Sequence, residues 1–281
     1  MPCGVASLVA RDARLLQDVI MQDHTIRDAA DFIRELWQNE QRCAGLPKEL
    51  LPKSRSDAYR IQELHEVVSA SPLVGWKIAA TSVAGQKHIG VEGPLAGRYI
   101  AERVVQSGGA VPFGNNHMRV AEVEFAFRLG RDLVPRFESY SEEEVFGAVE
   151  SAHPVIEVPD SRYERFEIVG TASLIADNAC AHWMAIGEAM PERWRNMDLA
   201  AFEPVGRIAG KNGVIGKGSN VLGSPRIAMT WLANELSGLG VTLKAGQFVT
   251  TGTCLVPMVI KQGDQVMGDF GDLGSVVVGL T

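Results

Sequence analysis

Val120-Ala121-Glu122-Val123-Glu124-Phe125-Ala126-Phe127-Arg128 alternates apolar and charged residues with the two-residue period of a β-strand. Within a strand over 120–129, Val123, Phe125 and Phe127 face one way. Glu122, Glu124, Ala126 and Arg128 face the other. Two carboxylates therefore project from the same side. At that spacing they can converge on one hard divalent cation, for which carboxylate oxygens are suitable ligands. The same pattern also serves a half-exposed strand with solvated charges on its wet face.

A third acid shifts the balance. Glu157 lies inside His153-Pro154-Val155-Ile156-Glu157-Val158-Pro159, where a charge in a short apolar strand is costly unless paired or bound to a metal. Lys77 has the same oddity within Leu73-Val74-Gly75-Trp76-Lys77-Ile78-Ala79-Ala80. It is open to three readings: a partner for a carboxylate, an acid/base group with a lowered pKa, or a snorkelling structural lysine.

Around these runs, residues 13–43 are rich in helix formers, with Ala29, Phe32, Ile33 and Leu36 at helical spacing. Ser56-Asp57 is a plausible N-cap for a second helix ending near residue 70. Beyond Pro72 short strands predominate, expected at 73–78, 120–129, 155–158, 205–209, 248–251 and 276–278. Ser141-Glu142-Glu143-Glu144 is a capping box for a helix through Val149, and Ser224-Pro225 opens another through Leu236. Asn212-Gly213 signals a hairpin. Because strands do not alternate regularly with helices, the expected class is α+β with a mostly antiparallel sheet. The expected organisation is a helical N-terminal segment over 1–71 and a strand-rich domain over 72–281.

Several classes are excluded. A net charge of -7 without a dense Lys/Arg run lacks the electrostatic footprint of a nucleic-acid binder. No apolar run approaches a membrane span, and residues 1–9 lack the basic start of a secretory signal, which leaves a cytoplasmic protein. Cys3, Cys43, Cys180 and Cys254 have neither zinc-site nor disulfide-scaffold spacing. Gly213-Val214-Ile215-Gly216-Lys217-Gly218-Ser219 misses the phosphate-loop spacing, and Asp269-Phe270-Gly271 lacks the other kinase motifs.

Taken in order, Asp57-Ala58-Tyr59-Arg60-Ile61-Gln62, Gly75-Trp76-Lys77-Ile78, Val120-Ala121-Glu122-Val123-Glu124, Ile156-Glu157-Val158-Pro159-Asp160-Ser161-Arg162 and Ala176-Asp177-Asn178-Ala179 resemble the 2-keto-4-pentenoate hydratase and 4-oxalocrotonate decarboxylase family of the fumarylacetoacetate hydrolase superfamily. The similarity continues through Trp231-Leu232-Ala233-Asn234, Thr251-Gly252-Thr253 and Asp269-Phe270-Gly271-Asp272-Leu273-Gly274. This resemblance implies a mixed β-roll with flanking helices, and Mg²⁺ or Mn²⁺ held by the residues matching Glu122, Glu124 and Glu157. It also implies a proton-transfer lysine matching Lys77, small 2-oxo or 2-hydroxydienoate acids as substrates, and a homo-oligomer. On that reading the chain is a hydro-lyase of aromatic meta-cleavage catabolism, and the strand-rich domain over 72–281 is its catalytic domain. Decarboxylation, acylpyruvate C–C hydrolysis and a catalytically silent partner subunit are the alternatives. Asn178 and Thr253 are candidates to orient substrate oxygens or water, and Arg98 to recognise a second carboxylate. Glu92, directly before Gly93, is the nearby candidate for an acid/base partner of Lys77.

Overall fold

The computed structural model describes residues 21–67, 69 and 71–281. Part of the expected N-terminal helix, residues 13–20, lies outside them, as do Cys3 and Ala70. Two twisted sheets form the centre. In the larger, the strand order is β2-β1-β10-β5-β6-β7-β3, with β11 pairing an end of β5. These strands are β1 Leu73–Ala79, β2 Leu95–Ile100, β3 Val104–Gln106, β5 Val120–Leu129, β6 Val149–Val158, β7 Trp183–Ile186, β10 Phe248–Thr250 and β11 Met258–Val259. The smaller sheet runs β4-β13-β12-β8-β9, from β4 Ala110–Val111, β13 Ser275–Leu280, β12 Gln265–Asp269, β8 Val205–Ile208 and β9 Val214–Ile215. Parallel pairs β1/β10, β3/β7 and β4/β13 interrupt an otherwise antiparallel pattern. The class is α+β, as the irregular order of elements predicts.

β5 and β6 form the spine. Their register sets Glu122 opposite Glu157 and Glu124 opposite Val155, so the three acids share one face. β6 begins six residues earlier than the expected 155, because the preceding helix Glu142–Phe146 stops at Gly147 and Val149 already pairs with Leu129. Pro154 concealed this extension, since proline normally argues against a central strand. It has no N–H to give β7, and the neighbouring Gly187 carbonyl is bound instead by His153 Nδ1 at 2.9 Å. The hairpin near Asn212-Gly213 exists as the β8/β9 pair. Its left-handed residue, however, is Gly210 at φ 77°, so Asn212-Gly213 is not the tight turn itself.

The long helices cover the sheet through apolar stripes. α1 (Asp23–Gln38) buries Ile26, Ala29, Ala30, Ile33 and Leu36, one face at helical spacing. α2 (Arg55–Val67) buries Asp57, Ala58, Tyr59, Ile61 and Gln62, and both helices contribute to the core that also contains Trp76, Val123 and Phe125. α2 holds β2 by side-chain bonds. Gln62 Nε2 donates to Ala96 O at 2.8 Å and to Ile175 O at 2.9 Å, while Tyr59 Oη accepts from Ala96 N at 3.1 Å. The Asp-Phe-Gly string is a core turn in which Phe270 packs edge-on to Phe125, ring centroids 4.9 Å apart. Among the described residues, Cys43, Cys180 and Cys254 are free thiols, and no helix is long and apolar enough to cross a membrane.

Candidate metal centre

Carboxylate oxygens of Glu122, Glu124 and Glu157 all lie within 4.8 Å of one another. Glu124 and Glu157 are fully buried, whereas Glu122 is half-buried and lines a cavity of about 640 Å³. One Glu124 oxygen accepts from Gly252 N at 2.7 Å, but Glu124 Oε1 and Glu157 Oε2 find no protein partner. Buried carboxylate oxygens left unpaired are costly. With Glu122, the two buried acids form an acceptor-only set of three converging carboxylates that suits Mg²⁺ or Mn²⁺.

Lys77 also lines the cavity. Its Nζ lies 2.7 Å from Glu157 Oε1 and donates to Ala179 O at 3.2 Å. Burial by itself would depress the ammonium pKa, but the charges of Glu157, Glu122 and Glu124 outweigh it and raise the value above the ordinary lysine range. Of the three readings open in the sequence, the carboxylate partner is the one the geometry supports.

Backbone geometry brings Lys77 to the acids. Asn178, Ala179 and Cys180 all have positive φ, at 56°, 49° and 61°, an unusual left-handed run that turns the Ala179 carbonyl onto Lys77. The run is tied down at its start by two side chains. Asp177 Oδ2 accepts from Ser161 Oγ at 2.6 Å and Arg162 N at 2.8 Å, linking it to the chain just after Glu157. Asn178 Oδ1 accepts from Arg98 N at 2.7 Å, and Asn178 Nδ2 donates to Arg98 O at 2.9 Å. Gly97 permits the close approach, since a Cβ there would stand 2.4 Å from Asn178 O and 3.0 Å from Lys77 Cγ. Gly97→Ala is therefore expected to cost about 1–3 kcal/mol through overpacking, measured as a lower Tm, and to reduce turnover by displacing Lys77.

The other candidates separate. Thr253 lines the cavity, with its hydroxyl donating to Leu255 O at 2.9 Å. Asn178 and Arg98 are not among the cavity-lining residues. Asn178 is a backbone brace, its amide fully used on Arg98. The expectation for Arg98 is corrected for a geometric reason. It pairs with Trp76 across β1/β2 while Lys77 pairs with Gly97, so strand alternation directs Arg98 to the opposite face. There its guanidinium bonds Gln62 Oε1, lies 3.4 Å from Glu66 and stacks over Trp76 at 4.6 Å. Glu92 is exposed and does not line the cavity. Sequence reasoning missed two contributions. Gly252 anchors Glu124 through its N–H, and the buried Tyr99 hydroxyl has no hydrogen-bond partner. Burial first, then the charges of Glu157 and Glu124, hold that phenol well above its ordinary pKa.

Crowding of the acids has a pH signature. Burial, followed by repulsion from Glu157, pushes the Glu122 carboxyl up to about 7. The folded, metal-free state thus keeps a proton that the unfolded chain has lost, so this group's stabilisation declines as pH rises from about 4.5 to about 7. Metal binding must displace that proton. The Tm increment produced by Mg²⁺ is expected to grow across the same interval; thermal melts at pH 5, 6, 7 and 8 with and without Mg²⁺ measure it, and a pH-independent increment would contradict it.

No family model matches the chain. It is 33% identical over 252 residues to 2-keto-4-pentenoate hydratase 1 of Dechloromonas aromatica, covering 88% of this chain and 94% of that protein. It is 31% identical over 227 residues to a 4-oxalocrotonate decarboxylase of Pseudomonas putida, covering 79% and 83% respectively. Among solved structures, the 4-oxalocrotonate decarboxylase of Pseudomonas putida G7 complexed with magnesium and adipate superposes with a TM-score of 0.83. That match has 25% identity and covers 93% of this chain and 99% of the other.

Proposed function

The chain belongs to the 2-keto-4-pentenoate hydratase family, and from that membership we propose that it hydrates a 2-hydroxy-2,4-dienoate to a 4-hydroxy-2-oxo acid. Glu122, Glu124 and Glu157 would hold the divalent cation, Mg²⁺ or Mn²⁺. The observation that carries this reading is their convergence within 4.8 Å, with unpaired buried oxygens, beside Lys77 on the wall of a cavity of substrate size. A cation bound there supplies Lewis-acid polarisation of the substrate's 2-oxygen.

Lys77 supplies a proton. In the first step the 2-hydroxyl loses its proton and C5 gains one, converting the dienol to a 2-oxo-3-enoate. Water then adds across the conjugated bond, its oxygen to C4 and a proton to C3. An ammonium held 2.7 Å from Glu157 is positioned to donate to carbon, and the neutral amine it leaves takes up the proton that the 2-hydroxyl releases. The largely apolar cavity limits competing water. Thr253 faces the same space; its hydroxyl donates to Leu255 O and accepts from Leu255 N, so it would orient the attacking water through its remaining lone pair.

Decarboxylation is the second reading, favoured by the similarity to the decarboxylase. Hydrolysis is less well supported. Among the described histidines, His117 bonds Glu164 O on an exposed surface and His182 lies against Trp37 and Arg103, neither lining the cavity; His88 does line it, but is exposed and packs edge-on to Phe166. The test is incubation with 2-hydroxypenta-2,4-dienoate and with oxalocrotonate in Mg²⁺, with products weighed by mass spectrometry. Addition of one water supports the hydratase. Loss of CO₂ as the only reaction would replace it with the decarboxylase, and no reaction together with no Mg²⁺-induced Tm shift would favour a silent subunit.

A further inference from the structure

Resting on the hydratase reading, we infer that the substrate carries an extended apolar group at C5, the end remote from its carboxylate, and no second carboxylate. The cavity of about 640 Å³ lies within the range of sites that enclose much larger ligands than a five-carbon acid. Its formally charged lining residues are Lys77 and Glu122, both already committed to the metal centre. The rest of the wall includes Ile89, Met118, Phe166, Leu174, Leu255 and Val256.

The other polar side chains on the wall, Thr81, Ser82, His88, Asn220 and Thr253, supply no fixed cation. Ser82 Oγ accepts from Gly85 N, Asn220 Nδ2 donates to Cys254 O, and Thr253 Oγ1 is bonded to Leu255. His88 is exposed and meets Phe166 edge-on at 6.2 Å, so water screens it. Arg98, the cation that would have suited a diacid, faces the other side of the sheet. A second carboxylate in this wall would lose its hydration without gaining a cation, whereas an alkyl or aryl tail would gain by leaving water.

Calorimetric titration of the Mg²⁺-loaded protein with saturated 2-oxo acids tests the tail independently of chemistry. 2-Oxooctanoate is expected to bind at least about tenfold more tightly than either 2-oxobutanoate or 2-oxoadipate, given that a single methylene in an apolar site is commonly worth about tenfold or more. Equal or tighter binding of 2-oxoadipate, or no gain over 2-oxobutanoate, would overturn the inference. Val256 is 76% exposed, so Val256→Arg should fold normally. That variant is expected to shift the preference toward 2-oxoadipate by at least about tenfold, and an unchanged ratio would remove the Val256 edge from the tail subsite. Hydration of 5-propyl and unsubstituted 2-hydroxypenta-2,4-dienoates, assayed in parallel, separates the two claims. Apolar preference without hydration overturns the hydratase reading alone; hydration without apolar preference overturns the tail alone.

Discussion

Glu124→Gln is expected to make the metal-free protein more stable and to remove most of its response to Mg²⁺. Both effects have one cause. Burial, then repulsion from Glu157 and Glu122, already holds the Glu124 carboxyl well above its ordinary pKa, so its ionised form destabilises the empty fold. Glutamine keeps the volume, and its carbonyl oxygen can still accept from Gly252 N, the 2.7 Å bond that orients the side chain. It removes a negative ligand. Because loss of groups that merely support metal ligands weakens binding by about 10–100-fold, loss of a ligand itself should exceed that range. Thermal melts across a Mg²⁺ titration measure both limbs: the variant should start higher and rise little. A variant that starts lower and keeps the full metal increment would contradict the assignment. Such opposition between stability and function is common where like charges are gathered for a purpose.

Lys77→Met should reduce kcat by about 10²–10⁴-fold, the usual contribution of a positioned proton donor, while retaining the metal response. Methionine preserves the aliphatic stem beside Gly97 but leaves Glu157 without its 2.7 Å ion pair. Breaking a buried pair in this way costs about 3–5 kcal/mol, so the metal-free variant should melt early. Mg²⁺ would then restore more than it does in the wild type, because it becomes the principal charge compensating the acids. A low Tm rescued by Mg²⁺ together with lost turnover separates the chemical role from a structural one. Wild-type turnover in the Mg²⁺-rescued variant would reject Lys77 as the proton donor.

The charged positions were legible because they violate a local rule. Glu157 and Lys77 stand in apolar strands, where each needs a partner, a metal or a chemical use; the sequence leaves the choice open, and the 2.7 Å ion pair between them is a product of the fold. The period of two in 120–129 placed Glu122 and Glu124 on one face, and the β5/β6 register then set Glu157 against Glu122. What local pattern could not supply was orientation across strands. Arg98 and Lys77 belong to neighbouring segments with similar apolar flanks, yet the register that pairs Lys77 with Gly97 rather than with Arg98 sends the two cations to opposite sides. Asn178 was equally opaque, because a short polar side chain beside a site can hold substrate or backbone, and only its paired bonds to Arg98 N and O show that it holds backbone. Pro154 obscured the start of β6 for the converse reason. A tertiary contact, the His153 ring on Gly187 O, satisfies the group that the proline leaves unpaired.

The helical N-terminal segment acquires a definite role. Tyr59 and Gln62, within the Asp57-to-Gln62 string, fix the backbone of Ala96, next to the glycine against which Lys77 packs. The motif therefore supports the site through β2 rather than by reaching it.

The most direct measurement is anomalous diffraction from crystals grown in Mn²⁺. A manganese peak bounded by the carboxylates of Glu122, Glu124 and Glu157, at the wall where Lys77 faces the cavity, is the predicted result. A peak coordinated by other residues, or none between these three acids at saturating Mn²⁺, would contradict the assignment of this cluster as the metal centre.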